Sequence, residues 1–352
     1  MRKLILDTLD LKHNLSALKE RAAGAAIYAV LSADGGGAGL IELAKLLRED
    51  GVSSFALWDV DEIRRLRAAG FLEEEILMLA PAASRGELIE LADLNVIFTV
   101  ASYDGGMALN ALAEERATVL EAQIRLDAGS GWGGFLPEDR EKVLSLYHYL
   151  PNVAFSGVYT QIRGDPKTRA PSEAQLLAFR QMLESIRGAG YETGAVHVSD
   201  DACLTLEEVN GVRVGRSLLG RGCRPRRDRL IPIGTGEAPL EEPRWLPQGI
   251  TIGEADPVTL KAPTRVAGIS AGFLNGVGLR LPARREGFWA RLLGRTPSPL
   301  PFRVNGQKVK VLGGIGPYEI LLDVTKVKCS AGDPVTFDLD PLFAKGFQRE
   351  YR

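Results

Sequence analysis

The sequence predicts an α/β protein in which a (β/α)8 TIM-type barrel is followed by a C-terminal antiparallel β domain. Between residues 13 and 220, apolar strand-like runs alternate with amphipathic helix-like stretches, as in a barrel whose strands are each followed by a helix. After residue 230, helical periodicity gives way to short alternating runs broken by Gly, Pro and Asn, which is typical of antiparallel sheet. A chain of 352 residues is long enough for both domains.

Eight apolar segments are the predicted barrel strands. In chain order they are Ala26–Leu31, Ser54–Trp58, Ile76–Leu79, Val96–Val100, Ala122–Leu126, Phe155–Gln161, Ala195–Val198 and Val212–Leu218. The predicted helices between them include Gly39–Arg48, Val60–Ala69 and Ala174–Arg187. Such a barrel carries its functional residues at the carboxyl ends of the strands, so we expect the site there.

The second domain is predicted to comprise residues 1–12 and 230–352. Its strand candidates are Pro301–Leu312 around the turn Asn305-Gly306, then Tyr318–Val324 and Asp333–Phe337. Residues 284–295 differ from the rest, because their apolar side chains share one helical face and arginines flank them. This segment fits a helix that docks on a membrane surface or a protein partner, or equally an insertion that packs on its own domain.

Composition excludes several classes of protein. Lys plus Arg number 43 against 45 Asp plus Glu, a net charge of −2, so we expect no nucleic-acid partner. The cysteines, Cys203, Cys223 and Cys329, have no metal-ligand or disulfide spacing, which favours a reducing compartment. The N-terminus becomes charged too early for a signal peptide, and no apolar run reaches transmembrane length. We therefore expect a cytoplasmic protein.

A series of short motifs runs in order along nearly the whole chain. The segments are Leu9–Leu15 (LDLKHNL), Ala29–Gly39 (AVLSADGGGAG), Arg125–Phe135 (RLDAGSGWGGF), Gly157–Gln161 (GVYTQ), His197–Ala202 (HVSDDA), Val212–Gly215 (VRVG) and Val266–Gly276 (VAGISAGFLNG). In this order they resemble the motifs of the alanine racemase family. The resemblance implies a barrel with a β domain, and a head-to-tail homodimer whose sites lie between the barrel of one subunit and the β domain of the other.

The resemblance also exposes the loss of the family's catalytic groups. Family members hold pyridoxal phosphate (PLP) as a Schiff base to a lysine, and Ser32 stands at that position. A serine hydroxyl cannot form an imine, so the covalent link and one proton-transfer base are absent together. The opposing base of the family is a tyrosine, and Glu254 aligns with it. We therefore expect no cofactor, and PLP in particular is not expected.

Further departures fall on other positions of the family motifs, several of which face the cofactor in the family. Gly36 and Phe273 replace tyrosines, Gln161 replaces a histidine, and Arg125 and Trp132 replace a lysine and an arginine. Asp200 and Asp201 replace an Asn-Ser pair near the phosphate, where two carboxylates would repel a dianion. Arg213, which pairs with the ring nitrogen in the family, remains with His197 beside it. These two residues also fit a purely structural hydrogen-bonded pair.

The predicted ligand-binding set lies at the barrel mouth. It comprises Asp34, Gly36, Arg125, Asp127, Trp132, Gln161, His197, Asp200, Asp201, Arg213, Arg216 and Phe273. Charges of both signs there suit a zwitterionic amino acid or a small peptide. No recognised ligand spacing indicates a metal, and a solvated acidic rim accounts for the carboxylates better than a metal site does. The glycines that follow Asp34 fit an anion cradle or a tight inherited turn.

Three hypotheses for function follow. The first is a non-catalytic binding or regulatory protein for an amino acid, a cell-wall peptide or a protein partner. The second is an enzyme with PLP-independent chemistry that uses acidic residues such as Asp127, Asp200 or Glu254. The third is a residual PLP-binding racemase that holds the cofactor non-covalently through Arg213. The loss of both bases favours the first hypothesis.

Overall fold

A computed structural model describes residues 1–163, 172–199, 209–221, 229–279 and 301–352. The chain divides into two units. One consists of Met1–Leu11, Leu219–Pro225 and Ile231–Arg352, and begins with strand β1 (Lys3–Leu6). The other consists of Lys12–Leu218 and Arg226–Leu230. Asp200, Asp201 and the segment 284–295 lie outside the described residues.

The second of these units is a barrel of eight parallel strands. They are β2 (Ala26–Val30), β3 (Ser54–Leu57), β4 (Glu75–Met78), β5 (Phe98–Val100), β6 (Leu120–Arg125), β7 (Val153–Thr160), β8 (Ala195–Ser199) and β9 (Gly211–Val214). Their order is β4-β3-β2-β9-β8-β7-β6-β5, and a parallel bridge between Leu77 and Ile97 joins the two end strands. The predicted barrel is therefore confirmed, and each predicted strand segment overlaps an observed strand.

Eight α-helices lie in the described part of the chain; the first precedes β2 and the other seven follow strands β2 to β7. They are α1 (Thr8–Arg21), α2 (Ser32–Gly36), α3 (Leu40–Glu49), α4 (Val60–Ala68), α5 (Arg85–Asp93), α6 (Tyr103–Glu115), α7 (Arg140–Tyr149) and α8 (Glu173–Gly188). Four of them begin where a side-chain oxygen accepts a hydrogen bond from a backbone N–H of the first turn, and the capping residues are Asp59, Ser84, Ser102 and Ser172. None of the described helices is long and apolar enough to cross a membrane.

The other unit is built on an antiparallel sheet. Its strands are β1, β10 (Thr235–Pro239), β11 (Arg244–Leu246), β12 (Thr251–Ile252), β13 (Val258–Thr259), β14 (Thr264–Ile269), β15 (Phe302–Val304), β16 (Gln307–Ile315), β17 (Ile320–Asp323), β18 (Pro334–Asp338) and β19 (Gln348–Tyr351). Nine of them form one sheet in the order β11-β14-β17-β16-β15-β18-β10-β1-β19, while β12 and β13 pair separately. Only β1 and β19 run parallel in this sheet. The predicted C-terminal antiparallel domain is confirmed.

Residues Asn305 and Gly306 form the two-residue turn between β15 and β16. Their φ values are +48° and +77°, as a type I′ hairpin turn requires. A Cβ on Gly306 would meet no atom within 4 Å, so a side chain there brings backbone strain without a clash. We expect Gly306→Ala to lower the free energy of unfolding of this unit by about 1 kcal/mol. Urea unfolding followed by circular dichroism measures the change.

Gly188→Ala is the matched control for this substitution. Gly188 ends α8, its Cβ position is also open, and its φ lies outside the positive range. Alanine at this position is expected to leave stability unchanged or to raise it slightly. Equal stability of the two variants would contradict the assigned strain at Gly306.

Candidate functional site

A buried polar network lies inside the barrel at His197 on β8. The Arg213 guanidinium, on β9, donates from Nη1 to His197 Nδ1 at 2.8 Å and from Nη2 to the Thr160 carbonyl oxygen at 2.8 Å. Because a guanidinium only donates, Nδ1 is the acceptor, and His197 Nε2–H donates to Gln123 Oε1 at 2.6 Å. Burial, and then the charge of Arg213, hold the pKa of His197 well below its usual range. His197 is therefore neutral, with one defined tautomer.

Two tyrosine rings enclose this imidazole. Tyr28 and Tyr159 stack on His197 with ring centroids 4.5 Å and 4.9 Å away. The Tyr159 hydroxyl is 2.7 Å from Thr99 Oγ1, which donates its own hydrogen to the Met78 carbonyl. Tyr159 OH is thus the donor in that pair, and burial raises the pKa of its phenol. Arg213 and Arg125 both act on the Tyr159 phenol, so the network holds two charged groups among neutral partners.

Trp132 covers the network on one side. Its ring centroid lies 5.2 Å from the Arg125 guanidinium carbon and 5.9 Å from that of Arg213, within the range of cation–π attraction. The indole also packs on an apolar cluster of the barrel interior formed by Ala56, Leu77, Leu79, Ile97 and Tyr159. Trp58 meets it edge to face at 5.2 Å. The indole therefore contacts both the guanidinium groups of Arg125 and Arg213 and the apolar core.

Asp127 organises the loop that carries Trp132. Its Oδ1 accepts from the backbone N–H groups of Gly129, Ser130 and Gly131, and its Oδ2 accepts from that of Gly133. Burial opposes the charge, but these N–H donors outweigh it and lower the pKa of Asp127. Both oxygens are engaged by the loop itself. Asp127 was predicted to contact a ligand. Its hydrogen bonds in the structure instead hold its own loop in place.

The glycine-rich segment after β2 forms a left-handed turn. Ala33, Asp34 and Gly35 have φ values of 60°, 55° and 66°, a conformation that is costly for residues with a side chain. The Asp34 N–H donates to Glu62 Oε1 at 2.6 Å, and Asp34 Oδ1 accepts from Arg65 at 2.9 Å. The N–H groups of Gly35 and Gly37 donate to carbonyls of the same turn. These bonds favour an inherited turn over an anion cradle.

Ser32 begins this turn, two residues after the end of β2. Its hydroxyl oxygen accepts a hydrogen bond from the Trp58 backbone N–H at 2.9 Å. Trp58 is the same residue whose ring meets Trp132, so the two positions are linked across the end of β3. Ser32 has a structural role in this arrangement, and it carries no group that could form an imine.

A family model described as "Alanine racemase, N-terminal domain" matches residues 6–222. The chain belongs to the alanine racemase family. The alanine racemase of Methylacidiphilum infernorum is 27% identical over 270 residues, which cover 74% of this chain and 67% of that protein. The sequence resemblance is thus confirmed at the level of the family.

Solved alanine racemases share the fold. The enzyme from a D-cycloserine-producing Streptomyces lavendulae superimposes with a TM-score of 0.83 at 20% identity and covers 100% of this chain and 97% of that one. The alanine racemase of Bartonella henselae, described with covalently bound pyridoxal phosphate, gives a TM-score of 0.79 at 19% identity and covers 100% and 99%. At these levels of identity, the structural similarity establishes that the fold is shared.

The structure gathers only part of the predicted alanine-racemase-like site. Arg125, Trp132, His197 and Arg213 lie together inside the barrel. Gly36 lies in the left-handed turn, while Gln161 and Arg216 follow β7 and β9 and are half-buried. In the other unit, Glu254 is exposed in the turn between β12 and β13, and Phe273 is 41% exposed. Among the described residues, no group of three or more His, Cys, Asp or Glu side chains could hold a metal ion.

Four residues of the network were not predicted from the sequence: Gln123, Tyr28, Tyr159 and Thr99. Gln123 bonds His197, and Tyr28 and Tyr159 stack on it. A signal for Gln123 exists in the sequence, since it lies two residues before Arg125 and alternate residues of a strand share a face. Tyr159 carries the same signal, since it lies two residues before Gln161, whereas Tyr28 has none because an aromatic residue in a barrel strand is ordinary core.

Proposed function

We propose that this member of the alanine racemase family is a non-catalytic binding protein that has lost PLP-dependent racemisation. The observation that carries the proposal is the place of Trp132. Its indole lies against Arg213, the residue that in the family pairs with the ring nitrogen of PLP. An indole beside this guanidinium crowds the position of a pyridine ring paired with Arg213, which supports the proposal that the residues present do not fit the cofactor.

The position of the family lysine supports the same conclusion. Ser32 cannot form a Schiff base, and its hydroxyl oxygen is already an acceptor for the Trp58 N–H. The position aligned with the family's second base, a tyrosine, holds Glu254. The two positions aligned with the family's bases therefore carry neither the lysine nor the tyrosine that a racemase uses.

Without racemisation, ligand binding at the barrel mouth is the function that we propose. The interior retains two buried guanidinium groups and a neutral hydrogen-bonded imidazole, but Asp127 is engaged by its own loop. We place the ligand, an amino acid, a peptide or another small anion, at Arg125 and Arg213. From the family resemblance we also propose a head-to-tail homodimer.

A PLP titration of the purified protein tests the loss of cofactor binding. We expect no saturable imine absorbance, no saturable quenching of tryptophan fluorescence, and no racemisation of alanine, serine or glutamate above background. Trp132 makes the fluorescence sensitive to any ring that enters the old pocket. Trp245→Phe is the control variant, because Trp245 lies on the exposed strand β11 and its removal must leave the outcome unchanged. Saturable binding together with racemisation of alanine would refute the proposal.

A further inference from the structure

A small cavity lies between helices α7 and α8 of the unit that forms the barrel. Its volume is about 70 Å³, which is room for roughly five water molecules or for the end of an alkyl chain. Residues of both helices line it, together with Pro137 of the 3₁₀ turn Pro137–Asp139 that precedes α7. None of the lining residues belongs to the network around His197, so this cavity is distinct from the proposed ligand site.

The interior of the cavity is apolar. Val143 on α7 and Met182 and Ile186 on α8 line it and are each no more than 5% exposed. Leu144 and Pro137 add further hydrocarbon. No described residue that lines the cavity has a buried side-chain nitrogen or oxygen without a hydrogen-bond partner. A polar group would therefore meet no unsatisfied partner inside, whereas an alkyl chain would exchange water for hydrocarbon contact.

The polar side chains of the cavity lie at its rim. Gln181 and Arg140 are exposed, and the Ser185 hydroxyl donates to the Gln181 carbonyl oxygen at 2.8 Å. Arg140 is the one charged residue among the described lining residues. It forms no ion pair or side-chain hydrogen bond with any residue that the structure describes. The cavity thus opens beside a cation that is available to an anion.

The acidic residues of this region do not line the cavity. They are Glu138, Asp139, Glu141 and Glu184. Asp139 is paired with Lys142 at 2.6 Å. With 3.6 residues in each helical turn, Glu141 and Glu184 lie outside the arcs of α7 and α8 that line the cavity. Arg140 therefore supplies the charge that a ligand's head group meets at the mouth.

Exposed apolar side chains continue the surface beyond the cavity. Leu177, one turn before Gln181 on α8, is 56% exposed. Leu136, immediately before Pro137, is 39% exposed. A chain that fills the cavity can thus extend along hydrocarbon where it leaves. A small apolar interior, an apolar border and one cation together fit a molecule with an alkyl chain and a negative head group.

We infer that this cavity binds a single-chain anionic amphiphile, with the alkyl end between α7 and α8 and the negative head group at Arg140. An exposed ion pair contributes little to affinity, so the chain supplies most of it and the head group sets the preference for an anion. The inference goes beyond the proposed function and does not depend on it, because the two sites share no residue.

NMR titrations of the full-length protein, labelled with ¹³C at its methionine methyl groups, test the inference. The Met182 methyl reports from the cavity, and Met107, which is 45% exposed on α6, is the internal control. The ligands are butanoate, hexanoate, octanoate, octanol and octylammonium. We expect saturable shifts of Met182 alone, with affinity that rises up to about fourfold for each added methylene until the cavity is full. Octanol should bind about threefold and octylammonium about tenfold more weakly than octanoate.

Two variants with matched controls assign the site. Ser185→Leu places a larger side chain in the cavity and should abolish the octanoate response of Met182. Ser145→Leu is its control, because Ser145 is also half-buried and its hydroxyl also donates to the carbonyl four residues earlier, but it does not line the cavity. Arg140→Gln should weaken octanoate about threefold and leave octanol unchanged. Arg85→Gln, which alters an exposed arginine paired with Glu115, should change neither.

Several outcomes would overturn the inference. Equal affinity for octylammonium and octanoate removes the role of the head group, and equal affinity for butanoate and hexanoate removes insertion of the chain. Shifts of Met107 that match those of Met182 reduce binding to a general surfactant effect. Absence of any Met182 response in the wild-type protein also rejects the site. The ligand series on the wild type decides the matter even if Ser185→Leu fails to fold.

Discussion

Arg213→Met is expected to destabilise the barrel by about 3 kcal/mol. The substitution keeps most of the apolar stem but leaves His197 Nδ1 and the Thr160 carbonyl without their donor, and each unpaired buried acceptor costs about 1–3 kcal/mol. It also removes the guanidinium carbon that lies 4.6 Å from the Tyr159 ring. Relief of the buried charge offsets part of this loss. Urea unfolding followed by near-ultraviolet circular dichroism of the enclosed tyrosines measures the change.

Arg213→Lys separates charge from geometry in this experiment. An ammonium group keeps the cation but has no rigid fork that reaches both acceptors, so we expect stability between those of the wild type and the methionine variant. Arg85→Met, at an exposed position, is the control for the loss of an arginine and should lie within about 0.5 kcal/mol of wild type. If Arg213→Met were as stable as this control, the hydrogen bond to His197 would make no net contribution to the free energy of unfolding.

The barrel was predictable because its signals are local. An apolar run followed by an amphipathic stretch fixes a strand and a helix without reference to distant residues, and the parallel order then follows from the fold class. The Asn305-Gly306 turn was predictable for the same reason, since few residue pairs adopt two positive φ values in succession. Helix starts at Asp59 and Ser84 likewise depend on neighbours within three residues.

The candidate site depends on contacts that the sequence separates widely. Arg213 and His197 were predicted as neighbours, but the tautomer of His197 is set by Gln123, 74 residues away. The turn at Ala33 is left-handed because Glu62 and Arg65 hold Asp34 from α4, and no rule of local propensity predicts alanine in that conformation. Long-range hydrogen bonds override local preference at these positions.

The departures from the family pattern form one physical unit. Trp132 introduces a large ring, and the two guanidinium groups of Arg125 and Arg213 provide the cations on which such a ring stacks. Ser32 fixes Trp58, whose ring then meets the Trp132 edge. Because these side chains contact one another, the contacts support the proposal that the interior has been repacked as a whole.

Asp127→Asn is expected to release the Trp132 loop and to lower stability by about 2–3 kcal/mol. An amide keeps one acceptor oxygen but turns an NH2 group towards a backbone N–H, so at least one of the bonds to Gly129, Ser130, Gly131 and Gly133 becomes a repulsion. The indole then loses its fixed position over Arg125. A red shift of tryptophan emission, with hydrogen exchange at residues 129–134, measures the release.

Acid should produce the same release in the wild-type protein. The pKa of Asp127 is lower in the folded chain than the usual aspartate value of about 3.9, so its contribution to stability is complete above that pH. It is lost progressively as pH falls below about 3.9 towards the folded-state pKa, because the unfolded chain takes up the proton first. Asp127→Asn lacks this contribution, and its stability should depend less on pH over that range. Asp104→Asn, an exposed first-turn residue of α6, is the control that should retain it. If the emission shift of Asp127→Asn persisted after Trp132→Phe, another tryptophan would be its source. Unchanged hydrogen exchange at residues 129–134 in Asp127→Asn would contradict the anchoring role of Asp127.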